Sequence, residues 1–338
     1  MQKIALAIHG GAGTITRSSM TPEKEAAYTN ALQAALEAGY NELCKGASST
    51  EAVLQAVMSL EDCPLFNAGK GSVFNNQGIH EMDASIMEGQ ALKAGAVSLI
   101  RNIKNPIVLA RAVMEKSPHV FMAGSGAEEF AKKMGIEFRT DDYFHDDFRY
   151  AQWQQVMHEE GVHLDHSVAA TNHAEKIRDK RQETQEIAAS KKDGLLSSQD
   201  KKFGTVGAVA LDTAGNLAAA TSTGGMTNKK FGRIGDSPMI GAGTYANNET
   251  CAISCTGHGE LFIRSVVAHD ISCLMAYKNL SLREACQEVV MKKLVAIGGE
   301  GGLIAIDKNG NIELPFNSEG MYRASINTAG QIQIAIYK

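Results

Sequence analysis

The sequence predicts a mixed α+β fold in which two mainly antiparallel sheets lie between helical layers, in the order αββα. Three predicted hairpins, at 206–221, 303–315 and 321–337, support this fold, because strands joined by short turns pair antiparallel. The first hairpin is apolar on both faces, which is typical of central strands in a sheet that is covered on both sides. Helical segments occur in pairs between the hairpins, and this pattern argues against a βαβ parallel sheet.

The first half of the chain begins with a predicted strand at 3–9 and is then mainly helical. Thr21-Pro22-Glu23 predicts the start of a helix to about residue 45, because proline suits the first helical position. Ser48-Ser49-Thr50-Glu51 has the spelling of a capping box and predicts a second helix to about residue 62. The other elements expected here are strands near 82–87 and 94–100 and helices near 106–116, 126–134 and 146–160.

The second half consists of the three hairpins and two helical segments. The turn Asp-x-x-Gly-Asn occurs at 212–216 and again at 307–311, and each copy joins two short apolar strands. The helical segments are expected at about 260–277 and 281–296, and Ser281-Leu282-Arg283-Glu284 again spells a capping box.

Between the two halves, residues from about 160 to 204 are expected to form a flexible tail. Charged residues crowd together at 175–183, and no Phe, Trp or Tyr occurs from 166 to 202. So little apolar surface could hardly offset the entropy lost on ordering the segment. A solvated helix is the alternative interpretation.

Composition limits the class of protein. The 338 residues carry a net charge of −5, and 44% are hydrophobic and 21% charged. A chain of this length can bury a substantial core. Its negative charge argues against nucleic-acid or membrane partners, which require a basic surface. No apolar run has the length of a membrane span, and the first run is too short for a signal peptide. The six cysteines form no CxxC pair, so we expect reduced thiols in a cytoplasmic protein.

The register of the first hairpin predicts a pair of hydroxyl groups at the rim of its sheet. If the turn pairs Leu211 with Leu217, Thr205 lies opposite Thr223 and both side chains share one face. Such pairs are also ordinary cross-strand stabilisers, so the hairpin alone does not establish chemistry. Glycines beside both threonines, such as Gly204, would let a ligand or another backbone approach closely.

A break in the Gly204–Thr205 bond would make this threonine a nucleophile that carries its own base. Its hydroxyl would attack, and its α-amino group, with a pKa of roughly 7.7–8.0, would accept the proton near neutral pH. Thr223 is then placed to orient Thr205 Oγ through a hydrogen bond.

Two further groups of residues could bind a substrate. Arg233 and Asp236 could together recognise a zwitterion, since arginine clamps a carboxylate and aspartate accepts from an ammonium group. An ordinary surface ion pair is the alternative. Thr256 and Gly257 follow an apolar strand, where a hydroxyl and a backbone N–H could hold an oxyanion. The alternative there is a plain glycine-rich connection.

Six motifs occur in one order along the chain. Together they resemble the plant-type (type III) L-asparaginases, also called isoaspartyl peptidases, of the N-terminal nucleophile (Ntn) hydrolase superfamily. The motifs are His9-Gly10-Gly11-Ala12-Gly13, Phe66-Asn67-Ala68-Gly69, Gly204-Thr205-Val206-Gly207, Ser222-Thr223-Gly224-Gly225, Gly232-Arg233-Ile234-Gly235-Asp236-Ser237-Pro238 and Thr256-Gly257-His258-Gly259-Glu260. The resemblance covers nearly the whole chain except about 160–202, which is longer than the linker common in the family.

The resemblance implies a single Ntn-hydrolase domain, 1–338, that cleaves itself into an α subunit, 1–204, and a β subunit, 205–338. It implies an (αβ)₂ assembly, L-asparagine and β-aspartyl dipeptides as substrates, and no cofactor for catalysis. The implied roles are Thr205 as nucleophile, Thr223 as its hydroxyl partner, Arg233 for the substrate α-carboxylate, Asp236 for its α-amino group, Thr256 and Gly257 as oxyanion hole, Gly259 as a backbone contact to substrate, and Asn67 beside the nucleophile.

The resemblance also implies a structural sodium ion bound by backbone carbonyls of one loop. The carbonyls would be those of Leu60, Glu61, Cys63, Phe66, Ala68 and Lys70. Carbonyl oxygens suit a hard cation. The side chain of Lys70 would have to point outward, because its charge would otherwise oppose the ion.

Three rival interpretations differ in class. An N4-(β-N-acetylglucosaminyl)-L-asparaginase cleaves a related bond, but such enzymes usually carry Asp before the threonine, where this chain has Gly204. A nucleotide-binding protein could be inferred from the glycines at 11–14 or 241–246, although neither stretch matches a dinucleotide fingerprint. An uncleaved scaffold without enzymatic activity is the third.

Overall fold

The computed structural model describes residues 3–167 and 204–338, which form two β-sheets together with helices. The strands in chain order are β1 (Ala5–Gly13), β2 (Met82–Glu88), β3 (Ala94–Ile100), β4 (Phe121–Ala123), β5 (Val206–Leu211), β6 (Leu217–Thr223), β7 (Thr244–Ala246), β8 (Cys251–Gly257), β9 (Gly301–Asp307), β10 (Ile312–Glu313), β11 (Gly320–Ile326) and β12 (Ile332–Tyr337). The α-helices are α1 (Pro22–Cys44), α2 (Ser49–Glu61), α3 (Pro106–Lys116), α4 (Gly124–Lys133), α5 (Asp141–Phe144), α6 (Asp147–Ser167), α7 (Gly259–Ser265), α8 (Val267–Lys278), α9 (Leu282–Glu288) and α10 (Leu294–Ala296).

The larger sheet has eight strands in the order β12-β11-β1-β5-β6-β2-β3-β4, and the smaller has four in the order β10-β9-β8-β7. The neighbouring strands pair antiparallel except β3 and β4, which pair parallel. The mainly antiparallel α+β architecture predicted from the hairpins is therefore confirmed.

The β5–β6 hairpin lies in the middle of the larger sheet, as its apolar sequence predicts. Leu211 pairs with Leu217, so the predicted register is confirmed. Every residue of both strands is buried. Alternate side chains point to opposite faces of a strand. One face of the hairpin therefore packs on helices, and the other faces the smaller sheet.

Local sequence signals explain where several helices begin. The Thr21 side chain accepts a hydrogen bond from the backbone N–H of Lys24, and Pro22 is the first residue of α1. Ser48 caps α2 by accepting from the N–H of Glu51. Such caps satisfy donors that have no partner within the helix. At α9 the full capping box predicted from the sequence is present.

Three buried apolar clusters hold the elements together. One joins the larger sheet to α1, α2 and α3, and includes Leu36 and Val57. A second joins β8 and β9 to α8 and α9. The third lies between the sheets, where Val209 and Leu217 of the larger sheet pack with Ile304 and other residues of the smaller.

Some boundaries differ from the sequence prediction. The helix expected at about 260–277 is two helices, because Val266 adopts a left-handed conformation with φ of 49°. The helix expected at 281–296 contains a π-helical turn, Val289–Lys293. Strands β4 and β7 were not expected, since three-residue strands carry little periodic signal. Helix α6 continues to Ser167, so the first residues of the predicted flexible tail, 160–167, are helical, and residues 168–203 of it lie outside the described residues.

Across residues 3–167 and 204–338, none of the helices combines the length and apolar character required to cross a membrane.

The inter-sheet cluster makes a stability prediction. Ile306→Ala removes a fully buried side chain between the sheets, and should lower the free energy of unfolding by about 2–5 kcal/mol. Ile332→Ala is the matched control, since Ile332 is 53% exposed, and should cost within about 0.5 kcal/mol. Urea denaturation of both variants measures the difference, and equal losses would contradict the packing described here.

Candidate active site

The two threonines predicted to face each other lie together at one end of the central hairpin. Thr205 directly precedes β5, and Thr223 is the last residue of β6. Thr205 Oγ donates to Thr223 Oγ at 3.3 Å, and Thr223 Oγ donates to the carbonyl oxygen of Gly204 at 3.1 Å. The backbone N–H of Gly225 donates to Thr223 Oγ at 3.0 Å. The nucleophile candidate, its partner and the bond before it thus form one hydrogen-bonded chain.

Asn67 packs against this arrangement. Its side-chain amide donates to the carbonyl of Gly225 at 2.7 Å, and its backbone carbonyl accepts from the N–H of Gly224 at 3.0 Å. A Cβ atom on Gly204 would lie 2.5 Å from Asn67 Cβ, so only glycine fits there. Asn67 therefore holds the turn after Thr223 and closes one side of the Gly204–Thr205 bond.

Arg233, Asp236 and Gly259 converge as predicted. A Cβ atom on Gly259 would lie 2.8 Å from Arg233 Nη2 and 3.0 Å from Asp236 Oδ1. Glycine at this position thus lets a guanidinium and a carboxylate both pack against the backbone, and the pair offers the two charges that recognise the charged groups of an amino acid.

Asp236 is buried with an incomplete set of hydrogen bonds. It is 4% exposed, and Oδ2 has no hydrogen-bond partner among the described residues. Burial raises the pKa of Asp236 to about 7, because desolvation penalises the carboxylate, although nearby Arg233 acts in the opposite direction. A buried carboxylate that lacks a partner is suited to receive a cationic ligand group.

Glu260 was missed as a functional residue by the sequence analysis. Its carboxylate accepts from Nε and Nη2 of Arg233 at 2.8 and 2.9 Å. The hydrogen bonds to Arg233 hold the pKa of Glu260 below its usual value. This bidentate pair fixes one edge of the guanidinium and leaves the Nη1 donors to point elsewhere. The only sequence signal was an acidic residue directly after Gly259.

The candidate oxyanion residues lie at the end of β8. Thr256 is fully buried, and its Oγ accepts from the backbone N–H of Ala12 at 3.2 Å. A hydroxyl that accepts a bond still has its own proton to donate. Gly257 is the last residue of the strand, and a Cβ there would lie 2.5 Å from the carbonyl oxygen of Glu300.

Register places Thr256 at the same end of the molecule as Thr205. His9 of β1 pairs with Gly207, so the residues that follow His9 run toward the Thr205 end of β5. Ala12, which contacts Thr256, lies on that continuation of β1. The glycine-rich stretch after His9 is therefore where the two sheets bring their candidate residues together.

His9 is a second residue whose role the sequence did not reveal. It is fully buried, and its Nε2 lies 2.9 Å from Ser254 Oγ. Burial lowers the pKa of His9 to about 3, and a weaker contact with the backbone of Thr205 acts in the opposite direction. The imidazole is thus neutral at physiological pH and adds no positive charge beside the candidate nucleophile.

The loop after α2 carries the backbone carbonyls that the resemblance assigns to a cation. A Cβ on Gly69 would lie 2.5 Å from the carbonyl of Glu61, and one on Gly71 would lie 2.1 Å from that of Phe66. Two glycines of the loop thus pack closely against these two carbonyls. Four carbonyls of the assigned set already accept a backbone N–H: those of Leu60, Cys63, Phe66 and Ala68. Each retains a second lone pair.

Two side chains, those of Lys70 and Glu61, set the charge at this loop. Lys70 Nζ lies 5.4 Å from the centre of the Tyr143 ring, so its charge is directed toward that aromatic face. Glu61 accepts from Ser222 Oγ at 2.6 Å, which ties the loop to the strand that carries Thr223. Burial raises the pKa of Glu61 to about 8. Within the described ranges, no group of three or more His, Cys, Asp or Glu side chains could hold a metal.

The chain is similar to known proteins over almost its whole length. The family model described as asparaginase matches residues 2–336. A protein of Escherichia coli (strain K12) named isoaspartyl peptidase is 51% identical over 96% of this chain and 93% of its own length. Its counterpart of the same name from Salmonella typhimurium is 50% identical over 96% and 95%. A Homo sapiens protein named isoaspartyl peptidase/L-asparaginase is 39% identical over 95% and 92%.

The family model spans almost the whole sequence, and relatives from bacteria and an animal align over nearly their full lengths. The chain therefore belongs to the asparaginase family.

Proposed function

We propose that this protein is a hydrolase that cleaves β-aspartyl dipeptides and the side-chain amide of L-asparagine, with Thr205 as an N-terminal nucleophile. The observation that carries the proposal is the hydrogen-bonded chain from Thr205 Oγ through Thr223 Oγ to the Gly204 carbonyl. The names of the relatives, isoaspartyl peptidase and isoaspartyl peptidase/L-asparaginase, support the same activity. They favour it over a glycosylasparaginase or an inactive scaffold.

The first phase is maturation of the precursor. Thr205 Oγ attacks the carbonyl carbon of Gly204, while Thr223 Oγ donates to the carbonyl oxygen on which negative charge develops. The acyl group moves from nitrogen to oxygen, and water hydrolyses the resulting ester. The products are an α subunit that ends at Gly204 and a β subunit whose first residue, Thr205, has a free amino group.

The second phase begins with substrate recognition. The α-carboxylate of the substrate binds the Nη donors of Arg233 that Glu260 leaves available, and the α-ammonium binds Asp236. Asp236 Oδ2 then gains the partner that it lacks among the described residues. Gly259 lies against both residues, where a larger side chain would clash with them.

Acyl transfer follows on the bound substrate. The amino group of Thr205 accepts the proton of its own Oγ, which attacks the side-chain carbonyl. Thr256 Oγ and the Gly257 N–H stabilise the oxyanion, and loss of one such donor costs about 3–4 kcal/mol of transition-state stabilisation. The Thr205 amino group passes this proton to the leaving amine, which departs, and water then hydrolyses the β-aspartyl ester to release aspartate and restore the Thr205 hydroxyl.

The architecture is inferred to be the four-layer αββα sandwich of a single Ntn-hydrolase domain. The apolar clusters on the outer faces of both sheets and between them support this order. Assembly of two cleaved chains as (αβ)₂, a sodium ion in the loop after α2 and a cytoplasmic location stay predictions. Catalysis as proposed uses only groups of the chain.

Replacing the nucleophile tests the proposal directly. Thr205→Ala removes the attacking oxygen, so the purified protein should be one uncut band on a denaturing gel and have no activity on β-aspartyl-leucine. Wild-type protein should give two bands, and sequencing should read Thr205-Val206-Gly207 at the new N-terminus. Thr205→Ser is the matched control, since it keeps a hydroxyl and should still cleave. An active wild-type enzyme that stays continuous through residue 205 would refute the proposal.

The pKa of Asp236 predicts a pH dependence. The carboxylate form binds the ammonium, so kcat/KM for L-asparagine should fall as pH decreases through about 7. Succinamate, which lacks the α-amino group, is the control, because it retains the need for a neutral Thr205 amine but not for ionised Asp236. The ratio of the two kcat/KM values should therefore rise with pH through about 7. A ratio that does not change with pH would remove Asp236 from ammonium binding.

The geometry of Arg233 predicts the effect of a conservative change. Arg233→Lys keeps the charge but loses the planar fork that bonds Glu260 and the substrate at the same time, so KM for L-asparagine should rise about 10-fold or more. Lys292→Arg exchanges the same two cationic residue types on an exposed helical turn, so it is the control for the exchange itself. Unchanged KM in Arg233→Lys would exclude this residue from substrate binding.

A further inference from the structure

Beneath the two threonines lies a fully buried layer of polar side chains between the sheets. Its members form a continuous chain of short contacts and belong to β1, β2, β6, β7 and β8. They are His9, Ser254, Thr221, Thr244 and Ser85, and the chain ends on the backbone carbonyl of Ser237.

The contacts are continuous from one end to the other. His9 Nε2 lies 2.9 Å from Ser254 Oγ, which lies 2.7 Å from Thr221 Oγ. Thr221 Oγ lies 2.5 Å from Thr244 Oγ, which lies 2.7 Å from Ser85 Oγ. Ser85 Oγ donates to the carbonyl of Ser237 at 2.7 Å. Each of the four hydroxyls therefore has two hydrogen-bonding neighbours, and a hydroxyl can donate once and accept twice.

The register of the strands brings the members of this layer together at the interface between the two sheets. His9, Gly207, Thr221 and Ser85 are cross-strand neighbours in one row of the larger sheet. Thr244 and Ser254 are cross-strand neighbours in the smaller sheet. Gly207 leaves the gap that Ser254 fills, since a Cβ on Gly207 would lie 1.9 Å from Ser254 Oγ.

The two ends of the chain touch the two halves of the candidate site. At one end, His9 is the cross-strand partner of Gly207, two residues after Thr205. At the other end, Ser237 directly follows Asp236. A side branch reaches the same place, because Thr221 Oγ also lies 3.3 Å from the carbonyl oxygen of Gly243, and Gly243 packs on the backbone of Asp236.

Polar side chains are not the most stable way to fill this part of the interface between the sheets. Along β5 and β6, the neighbouring residues that face the smaller sheet are apolar and include Val209, Ala219 and Leu217. Buried polar groups add little net stability compared with apolar packing, but a connected network of hydrogen bonds fixes the relative positions of its members.

We propose that this hydroxyl layer positions the nucleophile at Thr205 and the ammonium site at Asp236 relative to each other, with Thr221 as its central positioning residue. The inference rests on the proposed function. The scissile carbonyl and the ammonium belong to one small substrate, so the spacing of the two protein groups must be held to a fraction of an ångström for attack.

Thr221→Val tests the inference, because it keeps the shape of the side chain and removes the central hydroxyl. We expect kcat/KM for L-asparagine to fall about 10- to 100-fold in the cleaved enzyme. Thr221→Ser restores the hydroxyl and should stay within about threefold of wild type. The matched control is Thr250→Val, since Thr250 forms a buried pair with Ser272 at 2.7 Å outside the layer. It should lower the melting temperature as much as Thr221→Val but change kcat/KM less than about threefold.

A second experiment asks whether the layer acts as one unit. Ser85→Ala and Ser254→Ala break the chain on opposite sides of Thr221, so the double variant should lose little more activity than either single variant. Losses that multiply would overturn the inference, as would equal kcat/KM in Thr221→Val and Thr250→Val. If Thr221→Val does not mature, the serine variants decide the matter. An inactive wild type would instead refute the proposed function, so the two failures are distinguishable.

Discussion

The packing of two sheets face to face is the constraint on which the candidate site depends. Strands β5 and β6 lie in the middle of the larger sheet, so one face of the hairpin must fit the smaller sheet closely. At one end the fit is apolar, and at the other it changes to hydroxyl groups, then to Thr205 and Thr223. The reactive threonine is therefore held by the rigid interface of the two sheets, which suits a nucleophile that needs a fixed direction of attack.

Charge is distributed in the site so that a substrate completes it. Arg233 is already anchored by Glu260 through two hydrogen bonds, whereas one oxygen of Asp236 has no partner within the described chain. The raised pKa of Asp236 reflects the cost of keeping that carboxylate charged without a ligand. A zwitterion relieves this cost, so burial that is unfavourable in the free protein contributes to discrimination for an α-amino acid. At the Thr205 end of the site, His9 stays neutral because burial lowers its pKa to about 3.

Much of this arrangement follows from local sequence. The turn at 212–216 fixes which residues of β5 and β6 pair. Because side chains alternate between the two faces of a strand, Thr205 and Thr223 then lie on the same face. Capping residues such as Ser48 and Ser281 similarly marked helix starts within a residue. Breaks inside helices were harder to predict. The break at Val266 depends on packing, and no Pro or Gly in the sequence marks it.

By itself the sequence determined the hairpin, its register and the set of candidate residues, because those depend on short-range geometry. Only the tertiary structure decided which of the buried groups meet. The hydrogen bond from His9 to Ser254 spans 245 positions, and no periodicity can specify such a contact. The same holds for the pKa of Asp236 and the partner of Arg233, since burial and charge at a site are set by elements that fold together from distant parts of the chain.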